Sequence, residues 1–486
     1  MKRTLTLLTI VMALILSACA PALQAQSAAE SVTPTSTAAP QITEQAPLQS
    51  ATPADKTGTL EDSLLIAGWV SQGRYYQLYP IVPESGEALP GYDPISIRAH
   101  FYQAASPERN QMAFIVYESS KKPIGASLLL VDPLRWTAQL TPLELDGGVT
   151  AHSFSPDGGW LALALGDRES RVVVIDLDQQ AITARVELDF RASRMKYALD
   201  GKSVFVYGTP VKDRFTVNES AAGPPQAVLL DAKDLSLQWS EDLTGVRDGI
   251  YPKEGSPDED IDLHQPGAAV YDLPGVVFAP ERDALYIVHS ALDKLTTVDY
   301  AARQIETVDV RPALSWFERM LWLTAGVAKA KVAEGAALRA QASPDGKLIY
   351  VIGSKQVLVE SKSNDTMYEL ESFGLQVIRV ADGRILDRLD SQSNDLAIST
   401  DGEHLYLHTW KERGSETEVV RTGDLKVVAR QEGILAPVTR LNGKALLAST
   451  DWISSVKSRM LIVDPESLSV LAEWSGSEHA IFVGTP

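Results

Sequence analysis

The 486 residues contain one cysteine, Cys19, so no disulfide can join two parts of the chain. Every folded region has to hold by packing alone. Histidine is scarce, with 7 residues, and the 44 Lys and Arg are outnumbered by 63 Asp and Glu, leaving a net charge of −19. Such an acidic chain lacks the electrostatic footprint for nucleic acid or anionic lipid headgroups, and the charge also serves simple solubility. No apolar run reaches the roughly 20 residues that a membrane-crossing helix needs. Gly-x-Ser-x-Gly, His-Glu-x-x-His and a glycine-rich phosphate loop are all missing. The commonest hydrolase, zinc-peptidase and nucleotide-binding signatures are therefore excluded.

What hydrophobic run there is lies at the N-terminus. Lys2 and Arg3 precede a near-continuous apolar stretch from Leu5 to Leu16, which closes in Leu16-Ser17-Ala18-Cys19. A short positive segment followed by a run of this length has the form of a secretory leader. The small residues directly before the cysteine resemble the lipobox of bacterial lipoproteins. That resemblance implies cleavage before Cys19, a diacylglyceryl thioether on its sulfur and an acyl group, such as palmitate, on the new amino terminus. A plain secretory leader is the second reading, and it leaves an exported free thiol unexplained. An uncleaved tethering helix is the third, and it needs about 17–25 apolar residues. Loss of residues 1–18 removes two basic charges and takes the net charge from −19 to −21.

Residues 19–59 are rich in Ser, Thr, Pro and Ala, as in Ser31-Val32-Thr33-Pro34-Thr35-Ser36-Thr37-Ala38-Ala39-Pro40. With no hydrophobic period they cannot offset the entropy of ordering, so a disordered tether is expected. Its r.m.s. reach is roughly 30–40 Å. The folded domain is expected over residues 60–486.

That domain repeats. The clearest unit runs His152-Ser153-Phe154-Ser155-Pro156-Asp157-Gly158, Trp160 to Leu165, Val172 to Asp176 and Ala184 to Leu188, each piece strand-length and bounded by turn formers. Its first turn recurs as Ser106-Pro107-Glu108-Arg109, Leu199-Asp200-Gly201, Ala279-Pro280-Glu281-Arg282, Ser343-Pro344-Asp345-Gly346, Thr400-Asp401-Gly402 and Leu441-Asn442-Gly443. Third strands end in Asp132, Asp176, Asp231, Asp299 and Asp464, residues suited to Asx turns. Seven units begin near Ile97, Ala151, Met195, Val276, Arg339, Asp395 and Val438. Four-stranded units at this spacing predict an all-β chain folded as a β-propeller. The repeats, Ser343-Pro344-Asp345-Gly346-Lys347-Leu348-Ile349-Tyr350-Val351 above all, resemble those of YVTN-type, WD40-like propellers over most of residues 95–475. No Gly-His or Trp-Asp dipeptide occurs, so the chain is not a strict WD-repeat protein. Strand-like pieces at Ser63–Trp69, Tyr75–Ile81 and Glu478–Val483 make an eighth, composite blade the favoured count. Seven blades with flanking end pieces is the alternative.

Strand direction sorts the connections onto two faces. First-to-second and third-to-fourth turns read as uniformly short, whereas the other face holds four insertions: Thr209 to Gln226, Thr244 to Asp272, Val310 to Leu338 and Ser354 to Gly374. Long loops on a rigid scaffold are where binding concentrates. Asp258, Asp260, Asp262 and His264 alternate in a spacing open to a hard cation, but an EF-hand would need Gly and Glu where Leu263 and Ala269 stand. A solvated acidic loop is the plainer reading, and no metal or other cofactor is expected. Residues from Pro312 to about Glu334 read as one short helical insertion, with Pro312 at its first position and Trp316 on its apolar side. Trp322, Trp410 and Trp452 are further candidates for the elaborated face. His152 is a polar exception among inner-strand positions and is weighed as a satisfied core histidine against a ligand or catalyst.

The expected function is that of a lipid-anchored binding or scaffold protein, exposed outside the cytoplasm on a cell or outer membrane. Its partners would be the membrane, through Cys19, and an extracytoplasmic protein or glycan, with no nucleic acid. The alternative is a propeller enzyme of lactonase or quinoprotein-dehydrogenase-subunit type, which the resemblance also admits.

Overall fold

Second and third strands such as Leu161-Ala162-Leu163-Ala164-Leu165 and Val172-Val173-Val174-Ile175 are apolar at every position. A strand needs that pattern only where both of its faces are covered. The computed structural model shows what covers them. It describes residues 59–486 apart from 71–74, 99–100, 107–110, 118–125, 167–168, 213–219, 253–268, 313–335, 361–365, 412–413, 455–456, 477–479 and 483–486. Eight blades stand in a ring, each built on four antiparallel strands, with a fifth strand added to one of them.

Blade 1 is composite. Ala480–Phe482 is its inner strand, followed outward by Leu64–Val70, Tyr75–Ile81 and Ile95–Arg98. The inner strands of blades 2 to 8 are Phe101–Ser106, Val149–Phe154, Arg191–Tyr197, Gly275–Phe278, Ala336–Ala342, Asp395–Ile398 and Ile434–Thr439. The sequence-derived start near Ile97 is therefore corrected. Ile95–Arg98 closes blade 1, and two residues separate it from the inner strand of blade 2. A four-residue strand beside a strand of the next unit reads in sequence as one element.

The core is a ring of eight clusters, one between each pair of neighbouring blades. Alternation along each strand feeds them. Leu161, Leu163 and Leu165 pack toward blade 2 while Ala162 and Ala164 pack toward blade 4. Val204 and Val206 face blade 3, and Phe205 and Tyr207 face blade 5. Leu64 and Ile66 meet Val438, Leu446 and Ile462 of blade 8, which closes the circle without a covalent link. Each fully buried Leu, Val or Phe contributes about 1.5–3 kcal/mol, so stability is distributed around the disc.

Two turn devices repeat. In the two Ser-Pro-Asp-Gly turns and in Ser399-Thr400-Asp401-Gly402, Ser155, Ser343 and Ser399 donate to Asp157, Asp345 and Asp401, and the same hydroxyls accept the backbone N–H five residues on, at 2.9 Å each. Hydrogen bonds from Ser343 and Lys347 hold the exposed Asp345 carboxyl down to about 2. In the third-to-outer turns, Asp132, Asp176, Asp231, Asp299 and Asp464 accept backbone N–H groups two or three residues ahead, as Asx turns do. Four residues after each aspartate, Trp136, Gln180, Leu235, Arg303 and Leu468 adopt φ between 51° and 57°. Non-glycine residues rarely do so, and nothing local in the sequence announces it.

Among the described residues there is no helix. Pro312, expected to start one, instead forms with Arg311 a two-residue strand, which pairs parallel with the outer strand of blade 6 at Arg384 and Ile385. Residues 313–335, with Trp316 and Trp322, lie outside the described residues.

Candidate functional site on the insertion-bearing face

Because neighbouring strands are antiparallel, the second-to-third and blade-to-blade connections leave one end of the inner strands and the short turns leave the other. The four insertions all belong to blades 4 to 6. Val211–Lys212 pairs with Ser220–Ala221 within blade 4. Gly249–Pro252 pairs with Ala269–Asp272 between blades 4 and 5. Arg311–Pro312 begins the third. The fourth is an extension of the Leu348–Glu360 and Thr366–Arg379 strands, still paired at Glu360 with Thr366. The opposite set of turns has one exception, the connection of residues 82–94 in blade 1.

Two of the insertions touch. Gly249 has φ 142°, and a Cβ placed there would lie 2.8 Å from the Ala221 Cβ, so a larger residue would part the two hairpins. Beyond the second hairpin, Leu273 bridges to Ala337 on the inner strand of blade 6, with its N–H donating to Ala336 O at 2.9 Å and its carbonyl accepting from Leu338 N at 2.8 Å. The hairpin of blades 4 and 5 is thus pinned at both ends.

Its polar residues are arranged in two tiers. In the lower tier the buried Tyr207 hydroxyl donates to Asp248 Oδ2 at 2.8 Å. Loss of solvent raises the Asp248 carboxyl, while the Tyr207 hydrogen bond and the Arg194 charge pull it down. Tyr207 itself is pushed well above the usual phenol range, first by burial and then by the Asp248 charge. In the upper tier the Arg247 guanidinium lies 4.3 Å from the centre of the Tyr251 ring, and its Nε donates to Asp272 Oδ2 at 2.9 Å. Ser290 Oγ holds the other Asp272 oxygen at 2.9 Å. The Arg247 side chain is 59% exposed and that of Asp272 only 8%, so a buried carboxylate orients an exposed cation.

The inner strands carry further polar contacts between blades. Tyr102 of blade 2 hydrogen-bonds His152 Nδ1 of blade 3 through its hydroxyl, with the rings edge to face. Burial lowers the His152 pKa. Ser153 Oγ accepts from Tyr197 N at 2.9 Å, and Lys196 Nζ donates to Ala279 O at 2.7 Å. His289 and His408 sit apart in blades 5 and 7, on Thr296 Oγ1 and Leu435 O respectively, both at 2.8 Å. Among the described residues no three of His, Cys, Asp and Glu converge as metal ligands.

The sequence-derived candidates are scattered by this geometry. Trp410 ends the second strand of blade 7, its N–H donating to Asn394 Oδ1 at 3.3 Å, and Trp452 lies toward the end of the second strand of blade 8. Both positions are on the insertion-bearing face, several blades from Arg247. His152 is mid-strand, opposite Leu163. Cys19, Asp258, Asp260, Asp262 and His264 lie outside the described residues. Arg247, Tyr251 and Asp272 were missed. They flank the acidic loop within one insertion, and only the hairpin pairing brings its two ends together.

No protein-family model and no curated protein sequence matches the chain. Solved structures similar to it include a eukaryotic initiation factor, 10% identical, with 86% of this chain and 97% of that one covered at a TM-score of 0.47. The β-propeller domain of Myceliophteria thermophila Cps50 (Swd1) is 15% identical, with 73% and 96% covered and a TM-score of 0.39. Kuenenia stuttgartiensis hydrazine synthase is 14% identical, with 79% and 96% covered and a TM-score of 0.40. At such identities these likenesses concern the fold alone.

Proposed function

We propose that this propeller is a lipid-anchored binding or scaffold protein outside the cytoplasm, which engages a protein or glycan through its insertion-bearing face. The lipobox-like Leu16-Ser17-Ala18-Cys19 supports the anchor, and the YVTN-like repeats belong to the same reading. The observation that carries the binding role is the Arg247–Tyr251 stack, held in place by Asp272 on the face that carries the four insertions of blades 4 to 6. Arg and Tyr dominate binding energetics where they are pre-organised and surrounded by well-packed neighbours.

Two experiments test the two halves. Cys19→Ser is expected to accumulate as unprocessed precursor with no lipid label. Normal processing and labelling of that variant sinks the anchor. For the binding half, a partner captured by the purified protein is expected to be lost, by about 30-fold in affinity or ~2 kcal/mol, on replacing Arg247 and Tyr251 together by Ala. Lys202→Ala on the opposite face is expected to retain it. Equal binding by all three proteins refutes this face as the site.

A further inference from the structure

The point at which the chain enters the propeller is fixed by a built clamp. Leu441 N donates to Ser63 O at 3.0 Å and Asn442 N to Glu61 O at 2.8 Å. Asn442 Nδ2 donates to Asp62 Oδ1 at 2.9 Å. The buried Arg440 guanidinium reaches Asp62 O at 3.1 Å and Glu84 Oε1 at 2.6 Å. Leu60 is packed in the cluster between blades 1 and 2. Residues 440–443 are the first-to-second turn of blade 8, so Leu60 to Ser63 lie on the short-turn face. Strand order requires the same result. Leu64–Val70 is the second strand of blade 1, antiparallel to its inner strand Ala480–Phe482, and it starts where the first-to-second turns of the other blades lie.

From this geometry we propose that the anchor holds the disc by its short-turn face, so that the insertion-bearing face is presented away from the membrane. This rests on the lipid-anchor reading above. The ligand of that face then arrives from the side opposite the bilayer. Inner and second strands of about seven residues set the two faces roughly 20 Å apart.

The chain's single cysteine makes the test clean, because a lipidated Cys19 leaves any introduced thiol unique. Lys202→Cys places a fluorescent donor on an exposed first-to-second turn of blade 4. Gly223→Cys places it in the insertion of the same blade, where a Cβ meets nothing within 4 Å. The lipidated proteins are reconstituted in phosphatidylcholine vesicles carrying an acceptor-labelled lipid. Transfer is expected to be clearly stronger from the Lys202→Cys label than from the Gly223→Cys label. Lys444→Cys and Gly245→Cys repeat the comparison if either first variant misfolds. Equal or reversed transfer, in protein that floats with the vesicles, overturns the orientation and leaves the anchor standing. Protein that does not float overturns the anchor and the orientation with it.

Discussion

Removal of residues 478–486 deletes the inner strand of blade 1 and is the sharpest test of how the ring is held. Ala480, Ile481 and Phe482 pair with Gly68, Ala67 and Ile66, and Phe482 packs on the cluster shared by blades 8 and 1. Three paired residues make two to four ladder hydrogen bonds, each contributing about 1 kcal/mol net. A partly buried Phe adds about 1–2 kcal/mol, a fraction of what full burial of the ring would contribute. The deletion should therefore cost about 3–6 kcal/mol, and it leaves Leu64–Val70 as an open apolar edge prone to association. Unfolding entropy scales as about 2.1 cal/mol/K per residue, or roughly 0.9 kcal/mol/K for about 430 residues. If the ring melts as one unit, the midpoint falls by about 3–7 °C. Calorimetry and light scattering of this variant, beside one lacking only residues 484–486, provide the assay. The shorter trim leaves the strand intact and should melt like the full chain. Equal midpoints for the two truncations would refute closure through Ala480–Phe482.

Two further outcomes follow from the turns and the buried histidines. Gly402→Ala puts a Cβ 2.7 Å from Pro344 Cδ at a φ of 75°, so a loss of about 1–3 kcal/mol is expected in urea unfolding. Pro344→Ala in the same chain should restore part of it, and strict additivity of the two changes would show that the turns of blades 6 and 7 do not interlock. Burial lowers the pKa of His152, His289 and His408, so the folded protein binds protons there less readily than the unfolded chain. Their contribution is complete above pH 6.5 and is lost as pH falls below it. The raised Asp248 acts in the opposite direction, favouring the folded state as pH falls. NMR titration should place the three imidazole midpoints below 6.5, and the midpoint of His408 should rise in chain unfolded by urea. Unshifted midpoints in the folded state would overturn the burial argument.

Much of this architecture is written in local pattern. Ser-Pro-Asp-Gly and its variants mark the first turns, the recurring aspartates mark the third-strand ends, and period-two alternation assigns each side chain to one of two neighbouring blades. These signals act over a few residues, through turn geometry and strand pleat, and they are visible without neighbours. The location of the insertions is equally legible, since strand direction alone separates the two faces.

What tertiary structure decided is what depends on residues far apart in the chain. Ile95–Arg98 joins blade 1 because Tyr75–Ile81 offers it a partner, a choice its own four residues cannot express. Ile66 meets Phe482 across the whole chain, and only a closed ring brings them together. Arg247 becomes an oriented cation because hairpin pairing returns Asp272 to its side and blade 5 supplies Ser290. Composition and periodicity carry no trace of that convergence. Sequence determined the strands, the turns and the two-faced disc, because short-range sterics, turn chemistry and short apolar runs suffice for them. The closing strand, the clamp at Arg440 and the Arg247 site were decided by the fold, because their hydrogen-bond partners are defined only once the ring exists.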